Sequence, residues 1–194
     1  MHDERKLQAV LLGILHILGK GSYRTKLVKM VYFVDEANSR LCGETVTGLT
    51  YIWDSYGPNA ENNEIVKTLD DLKYAGVLDS MSRLYLNTEG HYYKLAESLD
   101  PSELDLTADD WAGIQSVVRA YGGMNAKTIA RVSKQTKPFE QAEQYDTLCL
   151  QRDPALQVTK EEIANDALLG EALSAIASDT GERVSLDELR GQFA

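Results

Sequence analysis

Three histidines, two cysteines and four prolines among 194 residues leave little material for metal or nucleophile chemistry. His2, His16 and His91 are scattered, and none stands at metal-ligand spacing from another His, a Cys or a carboxylate. A catalytic nucleophile needs a base that a third group orients, and nothing singles out one of these histidines for that role. No catalytic, metal or cofactor-binding residue is therefore assigned, and the chain reads as a non-enzyme. Cys42 and Cys149 share no motif, which fits two structural thiols in a reducing compartment. Long apolar runs are missing too. Val10–Leu18 is nine residues, contains His16, and is too short to span a bilayer. It lacks a small-residue cleavage site, so it makes a poor secretory signal, and a cytoplasmic protein is expected. Basic residues are outnumbered, 20 against 30, for a formal charge of −10. That opposes non-specific nucleic-acid binding and suits a basic protein partner. Gly19-Lys-Gly-Ser22 lacks the spacing of a phosphate loop and follows a helix, so it reads as helix punctuation.

What remains is a globular composition, 43% hydrophobic and 26% charged. Leu7, Val10, Leu11, Ile14, Leu15 and Leu18 fall on one helical stripe that Gly19 and Gly21 stop. A second helix over about 23–41 is apolar on more than one side at Leu27–Val34, as expected of the most buried helix, and Gly43 closes it. Residues 45–54 read as a strand with Leu49, Tyr51 and Trp53 on one face. Tyr56-Gly57-Pro58 makes a corner into a third helix over about 60–75. Arg83–Asn87 and His91–Leu95 flank Thr88-Glu-Gly90, the expected turn of a β-hairpin. Thr107 begins a capping box for a helix with Trp111, Ile114 and Val118, and Asn125 can cap a short helix carrying Ile129 and Val132. Two further capping boxes, at Thr159 and Ser185, predict helices in an acidic tail. Residues 155–194 hold eight acidic and three basic side chains.

Two constellations are candidate surfaces. Arg24, Lys26 and Lys29 form a basic face on the second helix, either a solvated face or a contact for DNA phosphates. Tyr32, Tyr51, Trp53 and Tyr56 form an aromatic set, either a core cluster or the lining of a protein-binding groove.

The order of these segments resembles a known family. Helical Lys26-Leu-Val-Lys-Met-Val-Tyr-Phe-Val-Asp35, Gly43-Glu-Thr-Val, Trp53-Asp-Ser-Tyr-Gly-Pro58 and the Ile65, Leu69, Leu72, Gly76 helix are similar to the SocA-like antitoxins with a Panacea domain. Ala126–Ala130 and Thr136-Lys-Pro-Phe-Glu-Gln-Ala142 continue the likeness, which covers roughly 5–145. Val46 stands where the family commonly has a Pro-Leu pair, and Phe139 replaces a common Trp. The resemblance implies a non-enzymatic bacterial, archaeal or phage antitoxin without a cofactor. Such a protein neutralises a protein toxin encoded nearby, by direct binding or by delivering it to a protease. Homo-oligomers are compatible with it, and nucleic acid and membrane are not expected partners. The implied partner-binding residues are Tyr32, Asp35, Trp53, Tyr56, Gly57, Pro58 and Phe139.

The expected fold is mainly α with a small β component (α+β). It has a helical core, a short strand and a β-hairpin, and is winged-helix-like in part. The family-like domain is expected over 1–150 and a helical C-terminal appendage over 151–194. Helix-then-hairpin order, with Arg24, Lys26, Lys29 and Lys67, keeps a second reading open: a winged-helix-like DNA-binding transcriptional regulator.

Overall fold

The computed structural model describes residues 3–85 and 88–152. The appendage, with its capping boxes at Thr159 and Ser185, lies outside the described residues. The chain opens with α1 (Glu4–Leu18), whose first N–H groups are capped by the Asp3 carboxylate and whose end is closed by Gly19 at φ 60°. A short strand β1 (Ser22–Tyr23) leads directly into α2 (Arg24–Cys42). Gly43, at φ 87°, supplies the left-handed residue that ends α2. Every position from Lys26 to Glu36 is buried. The apolar members of that run, Leu27, Met30, Val31 and Val34 among them, form the centre of the core with Leu7, Leu11 and Ile14 of α1.

Next come β2 (Tyr51–Ile52) and β3 (Asn59–Ala60), a two-stranded antiparallel ribbon pairing Tyr51 with Ala60 and Ile52 with Asn59. A 3-10 turn at Glu61–Asn63 precedes α3 (Glu64–Tyr74). After Gly76 the long strands β4 (Leu78–Tyr85) and β5 (Thr88–Leu95) pair antiparallel, and β1 joins the far side of β5, for a sheet order β1–β5–β4. Apart from the β2–β3 ribbon inserted between α2 and α3, the order helix, strand, two helices and two strands, with the first strand against the last, follows the winged-helix arrangement. The expected α+β fold, mainly helical, is thus the observed one.

The second half adds α4 (Ala108–Tyr121), α5 (Ala126–Ser133) and α6 (Lys137–Glu140). The predicted capping box is present: Thr107 and Asp110 each accept the other's backbone N–H. Asn125 caps α5 by accepting Thr128 N–H. Helix α4 lies against α1 and α2. Gly13 admits Leu106, Ile114 and Trp111 close to α1, and Phe33 stacks on Tyr121 with centroids 4.1 Å apart. At the edge of this contact Lys6 of α1 reaches Asp110 at 2.8 Å and donates to Asp105 O at 2.9 Å.

Three boundaries differ from expectation. The strand expected over 45–54 survives only at Tyr51–Ile52, because Thr47 turns inward to bond Asp35 and Gly48 takes φ 70°. The third helix starts at Glu64, because Asn62 and Asn63 sit at φ 55° and 57°, outside helical geometry. The expected hairpin turn at Thr88–Gly90 is strand instead. Tyr85 pairs with Thr88 and Arg83 with Gly90, so Thr88 and Gly90 lie in the ladder.

Candidate functional site: an aromatic hairpin loop

The Tyr56-Gly57-Pro58 corner is not a strand-to-helix bend. It is the tip of the loop that joins β2 to β3. Asp54 organises the tip. Its side chain accepts Tyr56 N–H at 2.9 Å, and its carbonyl accepts Gly57 N–H at 2.8 Å. Gly57 has φ 96°, where an L side chain is strained, and it packs against the end of α5. A Cβ at this position would stand 2.7 Å from Ser133 Oγ and 3.3 Å from Ala130 O. A glycine is therefore required twice over, by dihedral and by space.

Two lysines pin the loop. Lys29, buried in α2, donates to Pro58 O at 2.5 Å. Lys134, just after α5, donates to Ser55 O. Burial lowers the Lys29 ammonium to about 8, with nearby Lys134 adding to the effect and Asp54 opposing it. Lys26 is likewise buried and donates to Gly122 O at 2.5 Å. The basic face expected on α2 is thus neither a solvated face nor an open phosphate contact, since Lys26 and Lys29 satisfy backbone carbonyls inside the fold. Lys67 is exposed and lies 3.0 Å from Glu64 on the same helix.

The aromatic set divides by depth. Tyr32 and Tyr51 are fully buried and meet edge to face with centroids 5.1 Å apart. The Tyr32 hydroxyl shares a 2.6 Å hydrogen bond with Thr136 Oγ1, which ties α2 to the start of α6. Burial pushes both phenols above their ordinary range. Trp53 is half-buried and stacks on Phe139 of α6, 4.9 Å apart and 18° from parallel. Tyr56 is 77% exposed at the tip. Tyr32, Asp35, Gly57, Pro58 and Phe139 are thus interior, Trp53 lies at the boundary, and only Tyr56 of the seven stands free.

Asp35 holds the base of the hairpin. Its carboxylate is fully buried and accepts Thr47 N–H at 2.9 Å, the Tyr51 hydroxyl at 2.6 Å and the Thr47 hydroxyl. Burial raises its pKa to about 6, and the hydrogen bonds from Thr47 and Tyr51 oppose that rise. The strap 143–148 closes the other side of β2: Trp53 N–H donates to Asp146 O at 2.8 Å, Tyr145 N–H to Trp53 O at 3.2 Å, and Leu148 N–H to Tyr51 O at 2.7 Å. That strap brings Tyr145, 74% exposed, beside Trp53. Sequence reading missed Tyr145 and the two lysine pins. Tyr145 follows no periodic pattern, although Lys29 and Lys134 both stood inside or beside segments already singled out.

Next to α6 a cavity of about 540 Å³ is lined by Phe33, Glu36, Arg40, Tyr121, Lys137, Cys149 and Arg152, among others. Burial raises the Glu36 carboxyl, and Arg40, 3.8 Å away, opposes that rise. Among the described residues, no three His, Cys, Asp or Glu side chains converge as metal ligands. His16 stands edge-on to Trp111, and His91 lies 3.2 Å from Ser82 Oγ. No described helix is long and apolar enough to cross a membrane.

A hairpin loop framed by one buried aspartate and two lysines is the part of the chain where the motif residues converge. The family model for SocA-like antitoxins, Panacea domain, matches residues 27–139. The chain belongs to that family. No curated protein and no solved structure matches the chain. The Panacea match runs from α2 to Phe139 and so contains Tyr32, Asp35, the whole loop from Trp53 to Pro58, and the aromatic that Trp53 stacks on. Family membership supports an antitoxin-like, non-enzymatic role with a toxin as partner.

Proposed function

We propose that this Panacea protein neutralises a protein toxin encoded nearby by gripping it with the β2–β3 loop. The exposure of Tyr56 on a rigid loop carries the reading. A ring that is 77% exposed, on a loop held by Asp54, Lys29 and Lys134, loses little conformational freedom on binding. Trp53 and Tyr145 extend the same edge, and aromatics with a polar tip dominate interface hot spots. Tyr32, Asp35, Gly57, Pro58 and Phe139 act behind them by fixing the loop. Neutralisation proceeds by direct binding or through delivery to a protease.

Co-expression with the product of the adjacent gene tests this reading. Growth arrest by that product alone, relieved by this protein, is the expected result. A harmless product, or arrest that persists, refutes it. Measuring the toxin's half-life in the same cells separates the two routes: delivery to a protease shortens it and direct binding does not.

The DNA-binding reading keeps one specific observation, the winged-helix strand order. Against it, Lys26 and Lys29 are engaged internally, and α3 with its preceding turn carries Glu61, Glu64, Asp70 and Asp71 against Lys67 and Lys73. A gel shift on the upstream DNA, absent even at low salt, would remove this alternative.

A further inference from the structure

Residues 148–152 lead the chain along the wall of the cavity beside α6. Leu148 N–H is bonded to Tyr51 O, and Leu150 packs against the core. Arg152 sits at the end of α2, where a Cβ on Gly43 would stand 3.6 Å from its own. Both Cys149 and Arg152 line the cavity. Three cations, Arg40, Lys137 and Arg152, share that lining with a single carboxylate, Glu36. Its apolar wall includes Tyr121, Val132 and Pro138, each half-buried. Residues 153–194 follow directly from this wall, and over 155–194 eight acidic side chains stand against three basic ones. The same segment carries Leu169, Leu173 and Ile176 at helical spacings of four and three, behind the capping box at Thr159. An apolar stripe of that kind is stable only against a surface that covers it.

We propose that residues 159–176 fold back as a helix over this cavity and lay Leu169, Leu173 and Ile176 against Tyr121, Val132 and Pro138. Three properties select this segment as the occupant. The first is reach. The residues from Asp153 to Thr159 can span about 23 Å when extended, and the cavity is only about 8 Å on a side. The second is charge. Glu161, Glu162 and Asp166 fall in the first two turns of the helix and meet a wall that carries Arg40 and Arg152. The third is tethering. A segment joined at Arg152 sits at an effective concentration near the millimolar range, so a modest apolar contact is enough to hold it. Docking also braces α6, because Lys137 and Pro138 line the cavity while Phe139 of the same helix carries the stack on Trp53.

Cys149, an exposed thiol on the cavity wall, reports the docking. The full chain is treated with iodoacetamide, and alkylation of Cys149 is followed by peptide mass spectrometry. In the wild type Cys149 should react about tenfold more slowly than in the urea-unfolded chain. Leu169→Asp with Leu173→Asp should restore most of that rate while far-ultraviolet circular dichroism shows the body still folded. Arg40→Gln with Arg152→Gln should raise the rate from the cavity side, without altering the segment itself. Under mild oxidant, at least one of Leu169→Cys, Leu173→Cys and Ile176→Cys should form a disulfide to Cys149 within a single chain of 21.6 kDa, which requires Cα atoms within about 7 Å. Glu171→Cys, on the opposite side of the helix, should not. Wild-type Cys149 that reacts at the unfolded rate, or at a rate that neither pair of substitutions changes, overturns the proposal. The absence of a cross-link from every stripe position overturns it equally. So does a disulfide formed only between chains, which would put a second copy's segment in the cavity.

Discussion

Replacing Asp35 by Asn separates the two forces acting on the carboxylate at the base of the hairpin. In the folded chain Asp35 has a pKa of about 6 against 3.8 for the free group, because burial outweighs three hydrogen bonds from Thr47 and Tyr51. The native state therefore binds its proton more tightly than the unfolded state does. This group's contribution to stability is fully present below about 4 and is lost as pH rises through about 6. The gap of about two pH units corresponds to about 3 kcal/mol at 1.36 kcal/mol per unit. Asn is close to isosteric and stays neutral. Its amide oxygen can still accept Thr47 N–H, and the two hydroxyls can rotate to accept from its NH₂. Urea unfolding of both proteins from pH 4 to pH 7.5 gives their stability difference, in which the other carboxylates cancel. The wild type should gain about 2.5 kcal/mol relative to Asp35→Asn on going from pH 7.5 to pH 4, most of the full effect. A flat difference would mean that the hydrogen bonds match the burial penalty. A difference of opposite slope would mean that they exceed it, and either result refutes the reasoning.

Gly57→Ala should lower stability by about 2–4 kcal/mol in thermal unfolding, since it combines an unfavourable dihedral with a contact on the buried Ser133. Lys29→Met leaves Pro58 O without its donor, and faster hydrogen exchange at residues 54–58 is the expected readout. Because the Lys29 pKa is about 8 in the fold and 10.5 unfolded, wild type should gain stability relative to Lys29→Met as pH rises from 8 toward 10.5. Tyr56→Ala should leave the melting temperature nearly unchanged and weaken toxin binding about tenfold, measured by calorimetry. Trp53→Ala is the less clean probe, because losing its stack on Phe139 should also destabilise the fold by about 1–3 kcal/mol.

Much of the fold was legible because its signals are local. The stripe Leu7–Leu18, the closing residues Gly19 and Gly43, and the Thr107 capping box each state an element and its end within a few residues, and each is present. The misplaced features depend on distant partners. Residues 45–50 have the composition of a strand, yet Asp35 draws Thr47 out of that path. Thr88–Gly90 looks like a turn, but the pairing of β4 with β5 places it in the ladder. Lysines 26 and 29 look like a solvent-facing pair until the chain brings Gly122 O and Pro58 O over them.

By itself the sequence determined where α1, α2 and α4 lie, which helix is central, and which motif joins this chain to the SocA-like antitoxins. Periodicity, capping and glycine punctuation act over one or two turns, so they survive in a linear reading. Only the tertiary structure decided the fate of each ring around Tyr56-Gly57-Pro58. Tyr32 and Tyr51 went to the core, Trp53 to a stack on Phe139, and Tyr56 to the surface beside Tyr145. All four rings are apolar bodies with a polar edge, so composition assigns them no depth. Depth follows from what the rest of the chain lays over each one, and for Tyr56 the described chain lays almost nothing.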